Sequence, residues 1–552
     1  MTFHKKDRRT ILAGALLGAV SGLLSFAFLA FLNFMIGNLL AGQYTRFSIT
    51  HGLIFALIIV SYIWARRSLS FKIIRLSQAF FWKLRLRVLS IVLKSDFQAF
   101  TQRRDQVHSV LVHDVGTLTQ ASLSIIEFIT SSVVVLACFI YMGLVSIPLF
   151  LVTIGTATLG ILIYQLGTRV SNRQFEASRD LEDGFMRYFN AVLQGFKEIH
   201  MDGRIGQSIY RRQISPIAEG AYQNNTRAFT GFLNNQITGQ VLFYALIASI
   251  LLFFSVNLDI ETGTTVNFLF ILLYLLSSLE TIMVLLPALA RARISLGRIR
   301  TLQAELQQST NEARTIMATT HPEPFTGLEV SGMTFSYPAT EQQPEGFSIG
   351  PANLAIEPGQ INFIYGGNGS GKTTFMHSFL GLLRPNEGTI TFNGRTLADE
   401  NYGEYKRLFS VVFNDFYLFD QFYGNEGFDV ERARNYLSRF DMEGRVEITE
   451  HGFSTTELST GQRKRLALIS AILEDKPILV LDEWAADQDP YFRRKFYEEI
   501  LPELKAEGRT VLAITHDDAY YRTADKVYRM EYGKLIDDTA VLVQDQPEET
   551  LT

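Results

Sequence analysis

Gly366-Gly367-Asn368-Gly369-Ser370-Gly371-Lys372-Thr373 fits the pattern G-x-x-x-x-G-K-[ST]. That spacing suits a nucleoside triphosphate. The glycines let backbone N–H groups approach the phosphates, and the helix that follows presents its positive N-terminal end. Lys372 is placed to reach the β- and γ-phosphates, and the Thr373 hydroxyl to ligate Mg²⁺. The apolar run INFIY before the motif supplies the strand that a chance match would lack. A second site piece is Ile478–Glu483, an apolar run ending in the carboxylates Asp482 and Glu483. Such a run suits a buried parallel strand. Asp482 would hold Mg²⁺ through water, and Glu483 would polarise an attacking water. Alone this pair is a weak signal. Some 110 residues after Lys372, it reads as the other half of an ATP-hydrolysing site.

Leu458-Ser459-Thr460-Gly461-Gln462 precedes RKRLALISAIL, whose apolar residues recur at helical spacing. A Ser and a Gly at a helix N-terminus make a phosphate-binding site. The order P-loop, LS-x-GQ, strand–DE and then a His resembles the ABC ATPase family. The resemblance implies that LS-x-GQ of one domain closes on the ATP held by another, so that two chains sandwich two ATPs as a homodimer. Within it, Gly366, Asn368, Gly369, Gly371, Lys372, Thr373 and Thr374 cradle the nucleotide. Ser459, Gly461 and Gln462 come from across the interface. Tyr337, in FSYP, would stack on adenine, although a tyrosine met alone would read as core. His516, in VLAITHDD, would contact the γ-phosphate and Glu483. Asp489, in WAADQD, would lie in the loop that crosses the dimer interface. Glu483 and His516 are thus the expected catalytic residues. Thr373, Asp482 and Asn414 are the expected metal donors, with ATP and Mg²⁺ as cofactors. The sequence departs from the family at two places. Asn414 stands where Gln is usual and is one methylene shorter. Thr460 stands where Gly is common, a tolerable change if only its backbone meets phosphate.

The elements that position this site occupy the second half of the chain. The first half is different. Of 552 residues 47% are hydrophobic and only 19% charged, which points to a large apolar segment. The net charge of −4 gives no support for a nucleic-acid partner, and the one cysteine, Cys138, allows no disulfide within the chain. A membrane-spanning helix needs about 20 apolar residues. Six stretches qualify: Ile11–Ile36, Ile49–Trp64, Ser124–Met142, Leu144–Leu166, Thr238–Val256 and Phe268–Leu289. The third and fourth are separated by almost nothing and should form a tight hairpin. The first is too long for a signal peptide and reads as a membrane helix with its basic N-terminus inside. Arginines and lysines crowd the connectors after the second and fourth stretches, while the opposite side holds Arg46 and almost nothing else. The positive-inside rule therefore puts both long connectors in the cytoplasm. Each connector continues at helical spacing, for example Phe80, Leu84, Val88 and Val92. Two helical hairpins should project inward, with tips near Asp96–Arg104 and Gln194–Arg204.

The expected fold is an all-α six-helix transmembrane domain (1–300), a linker (301–326) and an α/β P-loop nucleotide-binding domain (327–552). That arrangement resembles the ABC exporter architecture over essentially the whole chain. The strings FIYGGNGSGKTT, EYKRLFSVVFNDFYLFDQFYG, LSTGQRKRLAL and DEWAADQDP are similar to those of bacterial cyclic-peptide and siderophore exporters, the group that includes the pyoverdine, syringomycin and microcin exporters. The resemblance implies ATP-driven export of a peptide-like cargo from the cytoplasm across a bacterial inner membrane by alternating access. It also implies the lipid bilayer as partner, with periplasmic or outer-membrane export components as further ones. A lipid or multidrug flippase, or an ATP-gated channel or sensor, is the alternative reading. Polar residues inside membrane stretches are costly and face a cavity or a partner. Those here are Asn33, Glu127, Gln240, Tyr244, Tyr274 and Glu280, with Glu280 the leading cargo contact.

Overall fold

The first two apolar stretches fold as α1 (Lys5–Leu40) and α2 (Ile49–Val92). The computed structural model describes residues 5–40, 49–257, 260, 262–308, 324–337, 346–425 and 427–544. Beyond α2 comes α3 (Phe97–Ser109), which passes through one wide turn, Val110–Asp114, into α4 (Val115–Val145). Ser146 is extended, with φ −159° and ψ 110°, and α5 (Ile147–Gln194) begins directly after it. Pro148 sits in the first turn of α5, where no helical N–H partner is needed and a fixed φ is an advantage. The tight hairpin expected between the third and fourth stretches is therefore made by a single residue. Two short helices follow, α6 (Phe196–Met201) and α7 (Gly203–Ile209), and then α8 (Ser215–Ser249). Asp202 separates the short pair and caps α7 by accepting from the Arg204 N–H at 3.0 Å. The last helix of this half is Thr262–Gln308.

Among the described residues, six helical stretches are long and apolar enough to cross a membrane, and each of the six expected segments lies within one of them, apart from the first few residues of the first, third and fourth. The loop that carries Arg46 lies outside the described residues. The final helix runs on to Gln308, through the first residues of the stretch expected as linker. The reason is local, since Leu302 and Leu306, one turn apart, are 3% and 1% exposed and give this stretch a buried face. Residues 309–323 of the expected linker lie outside the described residues.

The chain divides into two compact units. One comprises Met1–Leu93 and Gln102–Gln307, the other Lys94–Thr101 and Gln308–Thr552. In the first unit, Cys138, Met142 and Leu149 pack with Phe243, Phe268 and Leu272 in a buried apolar cluster. A buried ionic network joins other parts of the same unit. Asp114, fully buried, accepts from Arg179 Nη2 at 3.2 Å and from Ser295 Oγ at 2.8 Å. Asp183 accepts from Ser109 at 3.0 Å and pairs with Arg298. A charge buried to that degree persists only when paired. The network therefore fixes α5 against the wide turn at 110–114 and the final helix.

The second unit is built on two sheets. A four-stranded antiparallel sheet has the order β2-β1-β4-β5, from β1 (Leu328–Ser336), β2 (Ser348–Ile356), β4 (Glu387–Phe392) and β5 (Arg395–Thr396). A six-stranded sheet has the order β10-β9-β3-β8-β7-β6. Its strands are β3 (Ile361–Tyr365), β6 (Phe409–Val412), β7 (Ile478–Asp482), β8 (Thr510–Ile514), β9 (Lys526–Glu531) and β10 (Lys534–Asp537). All neighbours in it are parallel except β9 and β10. β7 and β8 are buried at every position, as an apolar run covered on both faces requires. Residues 94–101 belong to this unit as well. Phe97 lies edge-on to His377 at 5.6 Å, and His377 in turn to Phe413 at 6.0 Å.

Candidate active site

The register of the parallel strands decides where the site lies. Ile364 on β3 and Asp482 on β7 both pair with Ile514 on β8, and Val412 on β6 pairs with Leu481 on β7. The strand ends are thus level. Gly366, Asn414, Glu483 and His516 each come one or two residues beyond them, at the carboxyl edge of one sheet. That edge is where open α/β sheets bind ligands.

The loop after β3 is shaped for close approach. Gly366 has φ 158°, and a Cβ there would lie 2.2 Å from the Met530 carbonyl oxygen. Gly371 has φ 106°, in the left-handed region, and caps the helix Lys372–Phe379. Lys372 is 6% exposed, and its ammonium donates to the Gly366 and Gly367 carbonyls at 2.8 and 3.1 Å. Burial pulls its pKa below the ordinary lysine value, while Glu483 and Asp482 oppose the shift. Ser370 Oγ is buried with no partner in the loop. These features fit a polyanion: a cation and an orphaned hydroxyl line a cradle that side chains cannot fill. Asn368, Gly369 and Thr373 are exposed around it, with Thr374 half-buried. Tyr337 is 38% exposed, and its N–H donates to the Phe347 carbonyl at 2.9 Å. The Phe347 ring lies where a Cβ on Gly371 would come within 3.2 Å, so the β1–β2 pairing brings Tyr337 to the rim of the cradle.

Asp482 is 5% exposed, and burial raises its pKa, with the Asn414 N–H acting against that. The Asn414 N–H donates to Asp482 Oδ2 at 3.4 Å. Glu483 takes a left-handed backbone, φ 47° and ψ 37°, unusual for a side chain of its size and a mark of local strain. Its Oε1 lies 3.2 Å from His516 Nε2 and 3.9 Å from Lys372 Nζ. Its Oε2 lies 3.5 Å from Asn414 Nδ2. The oxygen of the Asn414 amide faces Lys464 Nζ at 3.3 Å. Thr373 and Asp482 supply hard oxygen donors of the kind Mg²⁺ takes. Among the described residues no group of three or more His, Cys, Asp or Glu could hold a metal by itself.

Ser459 caps the helix Thr460–Leu473 through a capping box with Gln462. A Cβ on Gly461 would lie 2.7 Å from the Asp487 carbonyl oxygen, so the turn Trp484–Asp487 packs directly on this helix start. Gln488 closes the contact, donating to the Gly461 carbonyl at 3.0 Å and accepting from Arg465 at 2.9 Å. Asp489 caps the next helix by accepting from the Phe492 N–H at 2.9 Å and pairs with Arg465 Nη2 at 2.8 Å. The Phe492 N–H, with help from Arg465, holds the Asp489 carboxyl below its ordinary pKa. Within one protomer the structure gathers the P-loop, Asp482, Glu483, Asn414 and His516 at one edge. It sets Ser459, Gly461, Gln462 and Asp489 together in a second group.

Sequence reasoning missed Lys464, Asp487 and Gln488. Lys464 carried a usable signal, since it shares a helix face with Leu468, Ala471 and Ile472, all buried. In the membrane unit the polar candidates separate. Gln240 Nε2 donates to Glu280 Oε1 at 2.8 Å, and both line an apolar cavity of about 330 Å³. Tyr274 is tied to Ser25 at 2.5 Å, Tyr244 and Glu127 are exposed, and Asn33 is buried beside the Asn267 carbonyl at 3.5 Å.

The family model described as ABC transporter matches residues 349–486. The chain is 32% identical over 472 residues to ATP-binding protein SyrD of Pseudomonas syringae pv. syringae, covering 84% of this chain and 83% of that protein. It is 30% identical over 223 residues to an ATP-dependent lipid A-core flippase of Hahella chejuensis, covering 38% and 37%. Its fold matches the structure of a bacterial Atm1-family ABC exporter with ATP bound, at a TM-score of 0.80 and 16% identity over 98% of this chain and 96% of that one. With the ATP motifs gathered at one sheet edge, six membrane-crossing helices and a relative similar over most of both lengths, the chain belongs to the ABC exporters, as a half-transporter whose ATP hydrolysis is coupled to transport.

Proposed function

We propose that this half-transporter works as a homodimer that exports a peptide-like cargo from the cytoplasm across the bacterial inner membrane. The single observation that carries the choice of cargo is the set of strings, FIYGGNGSGKTT, LSTGQRKRLAL and DEWAADQDP among them, similar to those of cyclic-peptide and siderophore exporters, and the SyrD match extends the likeness beyond them. An alignment of 472 residues is longer than the ATPase unit and must run deep into the membrane unit, where cargo is met. The flippase match covers 38% of the chain, no more than an ATPase unit's length.

In the proposed cycle, Tyr337 stacks on adenine, and the P-loop amides, Lys372 and the helix start at Lys372 hold the phosphates. Thr373 and Asp482 would be the donors for Mg²⁺. Mg²⁺ held there would supply positive charge against the charge that develops on the phosphates. Glu483 orients and activates the attacking water, and His516 holds Glu483 while donating toward the γ-phosphate. Ser459, Gly461 and Gln462 of the second protomer close the site from the other side. The exposed Phe196 and Met201 on α6 offer the second protomer an apolar contact. Closure then switches the membrane cavity from inward to outward access. The Gln240–Glu280 pair gives that largely apolar cavity a polar anchor, which suits an amide or amine on an otherwise apolar side chain.

The test is ATPase stimulation of the full chain in nanodiscs by three probes: a cyclic peptide, a hydroxamate siderophore and a lipid A-core preparation. Stimulation by the peptide or siderophore, lost in Glu280→Ala, is the expected result. Stimulation by the lipid alone would replace the peptide reading with a flippase.

A further inference from the structure

Lys464 is 1% exposed on the helix Thr460–Leu473, among residues that form the core. A buried ammonium is tolerated only when its protons are all taken. Here each proton has an acceptor: Asp487 Oδ2 at 2.7 Å, the Glu483 carbonyl at 3.0 Å and Asn414 Oδ1 at 3.3 Å. The three acceptors lie on two separate segments: Asn414 after β6, and Glu483 and Asp487 at the two ends of the segment that follows β7. The Lys464 carbonyl is also engaged, accepting from Trp484 Nε1 at 2.8 Å.

This arrangement acts on Glu483 twice. Lys464 grips its carbonyl directly, which helps to hold the left-handed backbone of that residue. It also fixes the Asn414 amide. With the amide oxygen on the ammonium, Nδ2 must face Glu483 Oε2. The flipped amide would set NH₂ against the ammonium and an oxygen against the carboxylate, two repulsions in place of two attractions. His516 takes the other carboxylate oxygen.

We propose that Lys464 is a positioning residue for ATP hydrolysis: it orients the Glu483 carboxylate through the Glu483 carbonyl and through the Asn414 amide. It links that orientation to Asp487, whose carbonyl packs on Gly461. On this account Asn414 serves the carboxylate through its NH₂ and not a metal through its oxygen. The inference rests on Glu483 being the residue that activates water.

The experiment measures steady-state ATPase and ATP affinity of the full chain in nanodiscs for Lys464→Met, Asn414→Leu, the double variant, Asn414→Asp and Glu483→Gln. Lys464→Met should lower kcat by about 100-fold, the loss a misplaced group produces, and leave KM and ATP affinity within about twofold. Asn414→Leu should behave alike, and the double variant should be no worse than the poorer single one, because both act through one carboxylate. Asn414→Asp keeps an oxygen donor for a metal but loses the NH₂, so it should lose at least about 10-fold in kcat with ATP affinity kept. Wild-type kcat in Asn414→Asp overturns the proposal whether or not Lys464→Met folds. So do multiplicative losses in the double variant, or a kcat for Lys464→Met within twofold of wild type. Turnover in Glu483→Gln would instead remove the reading beneath it, whereas an inactive Glu483→Gln beside normal Lys464 and Asn414 variants would remove only the inference.

Discussion

His516 Nε2 stands 3.2 Å from Glu483 Oε1, and the two arrive there from adjacent parallel strands, β8 and β7. The approach is backed on both sides. The Glu483 N–H donates to the Ile514 carbonyl at 3.0 Å, so the strand pairing itself carries on to the proposed catalytic position. Behind His516, Tyr497 donates to Asp517 at 3.0 Å and lies 2.6 Å from Thr515 Oγ1, which stiffens the loop. Replacing His516 with Ala leaves this framework in place and removes one group from the reacting centre. We expect kcat to fall by roughly 10²–10⁴-fold, the usual worth of a positioned proton-handling group, with ATP affinity within a few-fold of wild type. Steady-state turnover beside nucleotide-binding titrations checks this. A loss confined to affinity would contradict it.

His377 gives a pH prediction. Phe97 and Phe413 flank its ring, and burial pulls its pKa below the ordinary 6.5, with Asp415 opposing. The protonated form is therefore disfavoured in the fold. Stability from this group is complete above pH 6.5 and declines as pH falls from 6.5 toward the lower folded value, because the unfolded state binds the proton first. Residues 97–101 should lose hydrogen-exchange protection across that window, after correction for intrinsic exchange rates. His377→Phe keeps the aromatic packing and should flatten the dependence. An unchanged dependence in that variant would show that another group titrates.

Arg179 and Asp114 give a stability prediction for the membrane unit. Asp114 is fully buried, and Arg179 is its only guanidinium partner among the described residues. Arg179→Met leaves the carboxylate with Ser295 alone. Breaking a buried pair on one side costs about 3–5 kcal/mol. The thermal midpoint of the membrane unit in detergent should drop clearly, and Asp114→Leu together with Arg179→Leu should recover part of the loss. Equal midpoints in wild type and Arg179→Met would contradict the reading.

What could be read from the sequence divides along physical lines. The P-loop, the DE pair and the six apolar stretches were legible because each is a local pattern: a spacing, a run or a periodicity. The hairpin at Ser146 was legible for the same reason. The contacts of Lys464 were not, because its three acceptors are scattered over the segments after β6 and β7, and only the sheet register brings them together. A charge on an apolar helix face was the one visible trace. The helical continuation past residue 301 was not legible, because TLQAELQQ is polar by composition and only the fold shows that Leu302 and Leu306 share a buried face. Gln240 and Glu280 lie on different helices, and nothing in their own neighbourhoods announced the pair. Tyr274 looked equally available and turned out to be committed to Ser25.

On the proposed function, hydrolysis at Glu483 drives cargo out of the cytoplasm. The most direct measurement is ATP-dependent accumulation of a labelled cyclic peptide in proteoliposomes with the ATPase unit facing outward, for wild type and Glu483→Gln. The account predicts that wild type concentrates the peptide inside above the external level, while Glu483→Gln binds ATP and accumulates nothing. Equal filling of both vesicle populations to the external concentration would contradict it, because the chain would then be a passive pore gated by nucleotide.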